Sequence, residues 1–297
     1  YLFVISYIFA LSAAAIWSLT GLISTRAVRY FGSYNFNFLR LLGIIVLFTP
    51  YAYIHWSPIY FENSIIIAIA LSSIIGIVIG DTFLYICLKR LGPRREALLF
   101  SIQIPCTILM ADIFLNALPN FYQLLGCGLI FIGIIVAIQF NKTIKNDDLE
   151  NIQGNKLVGL YAGIGLAVCQ AIGIIIMKPI LLNTDPITIS YLRVLIAAIG
   201  MLLSFAFLPK MNLLTKMKDL KQTSIAILCG LMGMGVGMTL FIIALKNCNP
   251  GVVSALSSTM PIMIIPFLWI ATKNYSGHLS VLGALITCIG AAIIFLS

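Results

Sequence analysis

The chain alternates between long apolar runs and short connectors that contain Pro, Gly, Asn and charged residues. A helix needs about 20 mostly apolar residues to cross a bilayer, and the runs have this length. The turn-forming and charged residues between them mark where each helix ends. The pattern predicts an all-α integral membrane protein with ten transmembrane helices, over residues 2–23, 34–54, 64–88, 95–116, 120–140, 157–180, 186–208, 223–246, 250–271 and 278–297.

The composition agrees with a membrane protein. Hydrophobic residues make up 61% of the chain and charged residues 9%, with a mean hydropathy of +1.08, whereas a soluble domain has about 45–50% and about 25%. The net charge of +9 is also typical of nucleic-acid-binding proteins, but the basic residues are spread over the connectors and form no single stripe. We expect the lipid bilayer as a partner, no nucleic acid, and a monomer in preference to an oligomer.

Two halves of the sequence carry matching residues at a nearly constant offset. The stretch GIVIGDTFLYICLKRLGP, which starts at Gly76, aligns with GMGVGMTLFIIALKNCNP, which starts at Gly233, at an offset of 157. Arg40 in NFLRLLG matches Arg193 in SYLRVLI at an offset of 153. A series of matches in the same order indicates an internal duplication.

A polar segment near the midpoint, NKTIKNDDLENIQGNK at residues 141–156, separates the two halves. We therefore predict a first five-helix repeat over residues 1–140, this linker, and a second five-helix repeat over residues 157–297. Because each repeat has an odd number of crossings, the second must enter the membrane from the opposite face. Inverted repeats of this kind are typical of secondary transporters, in which a midplane site opens to each side in turn.

The basic residues of the connectors predict the orientation in the membrane. Connectors after odd-numbered helices hold fourteen Lys and Arg residues, whereas those after even-numbered helices hold only Lys178 and Lys246. Short connectors rich in Lys and Arg stay in the cytoplasm. We expect a multi-pass protein of the bacterial cytoplasmic membrane, with the odd-numbered connectors inside and both chain ends outside.

Several loose motifs together resemble a known family. They are AAIWS in helix 1 at residues 14–18, an apolar helix 4 that carries Pro105, and the glycine-spaced LLGCGLIFIG of helix 5 at residues 124–133. With its five-plus-five arrangement, the chain resembles the EamA family of the drug/metabolite transporter superfamily over essentially its whole length. The resemblance implies an inverted ten-helix fold and the export or exchange of small metabolites such as amino acids, without ATP hydrolysis.

The chain departs from this family pattern in two ways. Members often carry a Glu shortly after the prolines of helices 4 and 9, in a stretch like FLGE, whereas this chain reads FLNA at residues 114–117 and WIAT at residues 269–272. Many members are also thought to keep their termini in the cytoplasm, whereas the connector charges here predict the opposite. We follow the charges, because they belong to this sequence.

Ionisable residues inside the predicted helices are the first candidates for a functional site, because each costs about 2.5–3.5 kcal/mol to insert. The candidates are Arg40, Asp81, Asp112 and Arg193. Arg40 and Asp81 lie at a similar depth, about 9–10 Å from the cytoplasmic face, so they can pair. The pair is either a static bridge between helices 2 and 3 or a gating or proton-sensitive pair.

Arg193 occupies the mirrored position, but Met238 stands where the repeat would place a partner like Asp81. Three interpretations remain open. Asp112 supplies the missing charge, or Arg193 faces the cavity and binds a carboxylate or phosphate of the substrate, or its long side chain reaches the outer head groups.

Further polar or amphipathic side chains near mid-span lie on helices 1, 3, 4, 6 and 9, so a central site shared by both halves could contain all of them. They can equally fill helix interfaces, where Gln also bonds between helices. The residues are Trp17, Tyr85, Gln103, Gln170 and Thr259.

Two repeated backbone features accompany these candidates. The glycine pairs Gly76-x-x-x-Gly80 and Gly233-x-x-x-Gly237 predict close helix packing. Pro105 and Pro261 lie in matching places and predict matching bends.

The sequence thus predicts a secondary active transporter of a small polar or amphipathic metabolite such as an amino acid, with coupled protons as one option. Two alternatives remain: an obligate exchanger of a larger anion such as a nucleotide derivative, bound by both Arg40 and Arg193, or a lipid-handling or scaffolding protein without an aqueous cavity. No GxxxxGK[ST], HExxH or GxSxG motif is present. We expect no enzymatic activity, no metal and no cofactor.

Overall fold

The computed structural model of the protein describes residues 2–54, 62–115, 120–139, 149–181, 184–204, 216–273 and 277–296. Residues 141–148 of the predicted linker and the predicted end of helix 7 at 205–208 lie outside the described residues. All regular secondary structure in the described part is helical. In chain order the helical segments are α1 (Leu2–Phe31), α2 (Ser33–Ile54), α3 (Asn63–Leu91), α4 (Pro93–Phe100 and Gln103–Leu115), α5 (Phe121–Gln139), α6 (Lys156–Leu181), α7 (Pro186–Ser204), α8 (Leu220–Asn247), α9 (Pro250–Ser257 and Met260–Thr272) and α10 (His278–Leu296).

Seven of these segments are long and apolar enough to cross a membrane, namely α1, α3, α4, α6, α7, α8 and α9. The apolar stretches within α5 and α10 are shorter, Phe121–Val136 and His278–Ile294. The described helices are those of a multi-pass membrane protein, and the count of ten crossings stays a prediction.

Several helix ends differ from the prediction. Helix α1 continues past the predicted end at residue 23 to Phe31, so Arg26 and Arg29 lie on its last turns and not in a connector. It stops at Gly32, whose φ of 86° is typical of the residue that ends a helix. Helix α4 begins at Pro93, before the predicted start at residue 95, because proline suits the first turn of a helix.

The predicted bends at Pro105 and Pro261 take the form of helix breaks. Helix α4 is interrupted at residues 101–102 and α9 at residues 258–259. Each proline then lies in the first turn of the second piece, where its missing N–H leaves no hydrogen bond unmade. The two breaks lie at the same place in both halves, 157 residues apart.

The largest group of buried apolar side chains contains residues from both sides of the linker. Phe36 and Leu41 of α2 pack in the same cluster as Ile189 of α7 and Ile242 of α8, and all four are nearly or fully buried. Helices from the two halves therefore share one core.

Helices α5 and α10 approach closely along two pairs of glycines. A Cβ atom placed on Gly126 would lie 2.6 Å from the carbonyl oxygen of Gly290, and one on Gly133 would lie 2.6 Å from the carbonyl oxygen of Gly283. Because Gly126 precedes Gly133 while its neighbour Gly290 follows Gly283, the two helices run antiparallel.

We expect Gly133→Ala to destabilise the fold by about 1–3 kcal/mol, because the added methyl group meets backbone atoms that cannot move aside independently. Thermal unfolding of the purified protein in detergent measures the effect. Gly128→Ala is the matched control in the same helix, since no atom of the described residues lies within 4 Å of its Cβ position. Equal melting temperatures for the two variants would show that the close approach of α5 and α10 is wrong.

Candidate functional site

Helices α3 and α8 each contain one π-helical stretch in their middle, at Ser73–Gly80 and Gly230–Gly237. The two stretches are 157 residues apart, which is the offset between the repeats. Hydrogen bonds in a π-helix run from residue i to residue i+5, and such turns often mark functional sites. The paired glycine motifs, for which the spacing predicted only close packing, thus lie in irregular backbone.

The two π-helical stretches accept equivalent hydrogen bonds from opposite halves of the chain. The indole Nε1 of Trp17 on α1 donates to the carbonyl oxygen of Gly233 at 2.8 Å. The amide Nε2 of Gln170 on α6 donates to the carbonyl oxygen of Gly76 at 3.3 Å. Because Gly76 and Gly233 match in the repeat, Gln170 has the place in the second half that Trp17 has in the first.

A cavity next to Asp81 lies between helices of both halves, and we call it the Asp81 cavity. The centre of a water molecule can move through about 60 Å³ of it, where one water needs about 10–15 Å³. The cavity therefore has room for a few waters and not for a metabolite. The polar and aromatic side chains that line it include Trp17, Arg40, Asp81, Tyr85, Glu96 and Gln170.

Arg40 and Asp81 form a buried ion pair in the wall of the Asp81 cavity, with 5% and 3% of their surfaces exposed. The side-chain Oδ1 of Asn37 accepts a hydrogen bond from Arg40 Nε at 3.0 Å, and Gln170 Nε2 donates to Asp81 Oδ1 at 2.9 Å. The guanidinium carbon of Arg40 lies 4.9 Å from the ring centre of Tyr85. Both charges are thus compensated, as a buried pair requires.

A second, smaller cavity contains Arg193, and we call it the Arg193 cavity. It offers about 20 Å³ to the centre of a water molecule. Arg193 is 5% exposed, and its guanidinium meets the sulfur of Met238 at 3.8 Å and the carbonyl oxygen of Ser72 at 3.4 Å. No ion pair among the described residues balances its charge, and its Nε has no hydrogen-bond partner there. The repeat matches Arg193 and Met238 with Arg40 and Asp81, so the two cavities are equivalent in position but not in charge.

Four side chains line both cavities and form a partition between them: Trp17, Phe100, Gln170 and Met238. The Trp17 ring lies 6.0 Å from the ring of Phe100 and 5.4 Å from that of Phe241. Two of the four side chains are thus aromatic, and the amide of Gln170 reaches Asp81.

The profile of the EamA-like transporter family matches the chain twice, over residues 4–139 and 157–296. The chain belongs to the EamA-like transporter family. It therefore has the two-repeat architecture of a membrane transporter of the drug/metabolite transporter type.

Solved structures contain the same fold. Twenty-eight chains match this EamA-like transporter. One is a crystal structure of a protein that is 15% identical to this chain. The alignment covers 98% of this chain and 96% of that protein, with a TM-score of 0.68. At that identity the likeness shows the fold alone. No curated protein matches the chain.

Two residues predicted for the site of the EamA-like transporter lie outside both cavities. Asp112 belongs to none of the ion pairs in the described part of the chain, so the suggested contact with Arg193 does not form. The hydroxyl of Thr259 donates to the carbonyl oxygen of Leu256 at 2.8 Å. The break in α9 at residues 258–259 turns this hydroxyl back onto its own helix, which the sequence pattern did not indicate.

Gln103 lies where α4 resumes after its break, and it is 1% exposed. Its Nε2 donates to the hydroxyls of Ser258 at 3.2 Å and Ser257 at 3.4 Å on α9. It lines the Arg193 cavity, so it connects the two halves of the transporter beside the uncompensated arginine.

Sequence reasoning missed two polar residues of the site. Glu96 lies in the first turn of α4, is 1% exposed and lines the Asp81 cavity. It follows Arg94 and Arg95 in a charged stretch that the pattern assigned to the connector and the helix start. Asn37 orients Arg40 and precedes it by three residues on the same helical face, a spacing that was available as a signal.

Cationic side chains connect neighbouring segments at both ends of the site. At one end, Arg95 donates to the carbonyl oxygen of Glu150 in the linker at 2.9 Å, and its Nη1 lies 3.7 Å from the Glu150 carboxylate. At the other end, Lys178 on α6 donates to the carbonyl oxygens of Leu245 and Cys248 at 2.7 and 2.6 Å. These contacts connect the segments at both ends of the site.

Proposed function

We propose that this transporter moves small polar or amphipathic metabolites, such as amino acids, by secondary active transport with alternating access, and that it leaves its substrate chemically unchanged. The observation that carries the proposal is the pair of cavities at matching positions in the two halves, separated by a single partition of side chains. Alternating access requires a central site that is reached from one side at a time. Movement of the partition between the halves would meet this requirement.

The packing of α5 against α10 supports inverted repeats. Gly126 matches Gly283 in the repeat, and Gly133 matches Gly290. In the contact between α5 and α10, Gly126 lies against Gly290, which is the repeat counterpart of Gly133. Likewise, Gly133 lies against Gly283, which is the repeat counterpart of Gly126. A two-fold axis perpendicular to two antiparallel helices produces this exchange. For helices that cross a membrane, such an axis lies in the membrane plane.

The charges of the connectors support an orientation with the odd-numbered connectors in the cytoplasm. The Asp81 cavity contains Ser24 near the end of α1 and Glu96 at the start of α4, next to these connectors, so it is the inner cavity. The Arg193 cavity contains Met177 and Leu245, near the opposite connectors, so it is the outer cavity. We place the transporter in the bacterial cytoplasmic membrane as a monomer.

Arg193 is the residue that we assign to the substrate carboxylate. Its guanidinium is buried and unbalanced, and Arg side chains bind carboxylates through two parallel hydrogen bonds. Gln103 and Gln170 supply polar contacts, and Trp17 and Tyr85 supply apolar walls. Arg40 is already balanced by Asp81, which favours this small substrate over a large anion held by both arginines.

Counterflow in proteoliposomes tests the proposal with each of the twenty amino acids as unlabelled internal and labelled external substrate. We expect exchange of at least one, and Arg193→Ala should slow it about tenfold, because a charge-assisted hydrogen bond contributes about 1.5–3 kcal/mol. Arg26→Ala is the control, since Arg26 is exposed on α1 outside both cavities. Counterflow that is unaffected by Arg193→Ala would exclude the assigned site, and a cavity that stays dry to cysteine labelling at Gln103 and Gln170 would favour a scaffold.

A further inference from the structure

Glu96 is a buried carboxyl that forms no ion pair within the described part of the chain. It is 1% exposed and lines the Asp81 cavity, and its Oε1 has no hydrogen-bond partner among the described residues. The ion pairs in the same part of the chain do not include it. A lone carboxylate is very costly in such a place, whereas the neutral acid is much less so. In this conformation the neutral acid of Glu96 is therefore favoured over its carboxylate.

The neighbouring arginines approach carboxylates other than that of Glu96. Arg40 is paired with Asp81, and Arg94 and Arg95 approach Glu150 of the linker. Neither arginine of α4 lines the Asp81 cavity. Ionisable groups face Glu96 from three of the packed helices: Asp81, Tyr85 and Cys87 on α3, Arg40 on α2 and Cys229 on α8. The other three helices contribute side chains that do not titrate, namely Ser24 on α1, Gln170 on α6 and Met260 on α9.

We propose that Glu96 carries the coupling proton of transport, an inference that rests on the proposed function. When the Asp81 cavity opens to the more alkaline side, the O–H bond of the Glu96 carboxyl breaks and its proton passes to water. When the site opens to the more acidic side, the carboxylate takes one proton from water and the O–H bond forms again. Glu96 changes sides as the neutral acid while substrate is bound, and it returns as the carboxylate, solvated by water, while the site is empty. Each cycle thus moves one proton with one substrate, while the Arg40–Asp81 pair keeps its charges. Coupling is located on Glu96 and not on the ion pair.

Infrared spectroscopy tests the proton on Glu96 without any substrate. Exposed carboxyls are already ionised at neutral pH, so a change in the carboxylic-acid C=O band of the purified transporter between neutral and alkaline buffer reports a buried acid. We expect Glu96→Gln to remove this change, Glu96→Asp to shift the band, and Glu62→Gln, which changes an exposed Glu at the start of α3, to leave it intact. A change that persists in Glu96→Gln, or its absence in the parent protein, would overturn the inference.

Transport assays test the coupling itself. With the amino acid that gives counterflow, a pH gradient should drive accumulation in the parent protein and in Glu96→Asp, whereas Glu96→Gln should lose accumulation and keep counterflow. Accumulation by Glu96→Gln at the parent level would refute the assignment while leaving the proposed function intact. Absence of counterflow in the parent protein would instead refute the proposed function, and the infrared result would then decide the protonation of Glu96 alone.

Discussion

Replacing Asp81 with alanine should lower the free energy of unfolding by about 3–5 kcal/mol, because the Arg40 guanidinium would stay buried without its counter-charge. Gln170 would lose the acceptor for one of its hydrogen bonds at the same time. Asn37 and Tyr85 would still contact Arg40, but neither carries a charge that balances it. Denaturant unfolding in detergent measures the effect.

A double variant distinguishes the two interpretations of the Arg40–Asp81 pair. Arg40→Met combined with Asp81→Leu should recover most of the lost stability, since an apolar pair of similar volume often replaces a buried ion pair without cost. Parent-level counterflow in the double variant would indicate a static bridge, whereas lost counterflow in a stable protein would indicate gating. Glu62→Ala should change stability by less than about 0.5 kcal/mol, because the residue is exposed. A loss for Asp81→Ala as small as that of Glu62→Ala would contradict the importance of the pair.

The order of the helices and the repeat could be predicted because they depend on regular signals. Apolar runs and their breakers fix where a chain can cross a bilayer, and a duplication leaves Gly76 and Gly233 at a constant offset. Helix ends were harder to predict from the sequence. The charged end of α1, for example, resembles a connector in composition. Its extension to Phe31 depends on packing and on the helix stop at Gly32.

The candidate site could be predicted only where a residue stands out within an apolar run. Arg40, Asp81 and Arg193 do so because each needs a physical reason to lie there. Glu96 does not stand out, since it follows two arginines and its burial depends on the start of α4 at Pro93. The irregular break in α9 hides the orientation of Thr259 in the same way. Sequence patterns report regular helices and not the breaks that orient residues such as Thr259.

Met238→Asp should reduce counterflow of a carboxylate substrate about a hundredfold, more than Arg193→Ala does. Met238 is 7% exposed and its sulfur already lies 3.8 Å from the Arg193 guanidinium, so the new carboxylate would form the pair that Asp81 forms with Arg40. The substrate would then lose its charged partner and also meet a like charge, which costs several kcal/mol. Counterflow rates and a competition assay for substrate binding measure the effect.

The matched control for this variant is Met238→Asn, which adds a polar group of the same size without the charge. It should keep more counterflow than Met238→Asp, while the aspartate variant should be the more stable of the two because it balances Arg193. These two rankings are opposite, so a general defect in folding cannot produce both. If Met238→Asp exchanged substrate as fast as Met238→Asn, the charge of Arg193 would have no part in substrate binding. Slower exchange by Met238→Asp than by Met238→Asn would show that the charge of Arg193 takes part in substrate binding. The second repeat would then differ from the first by keeping its arginine available for the substrate.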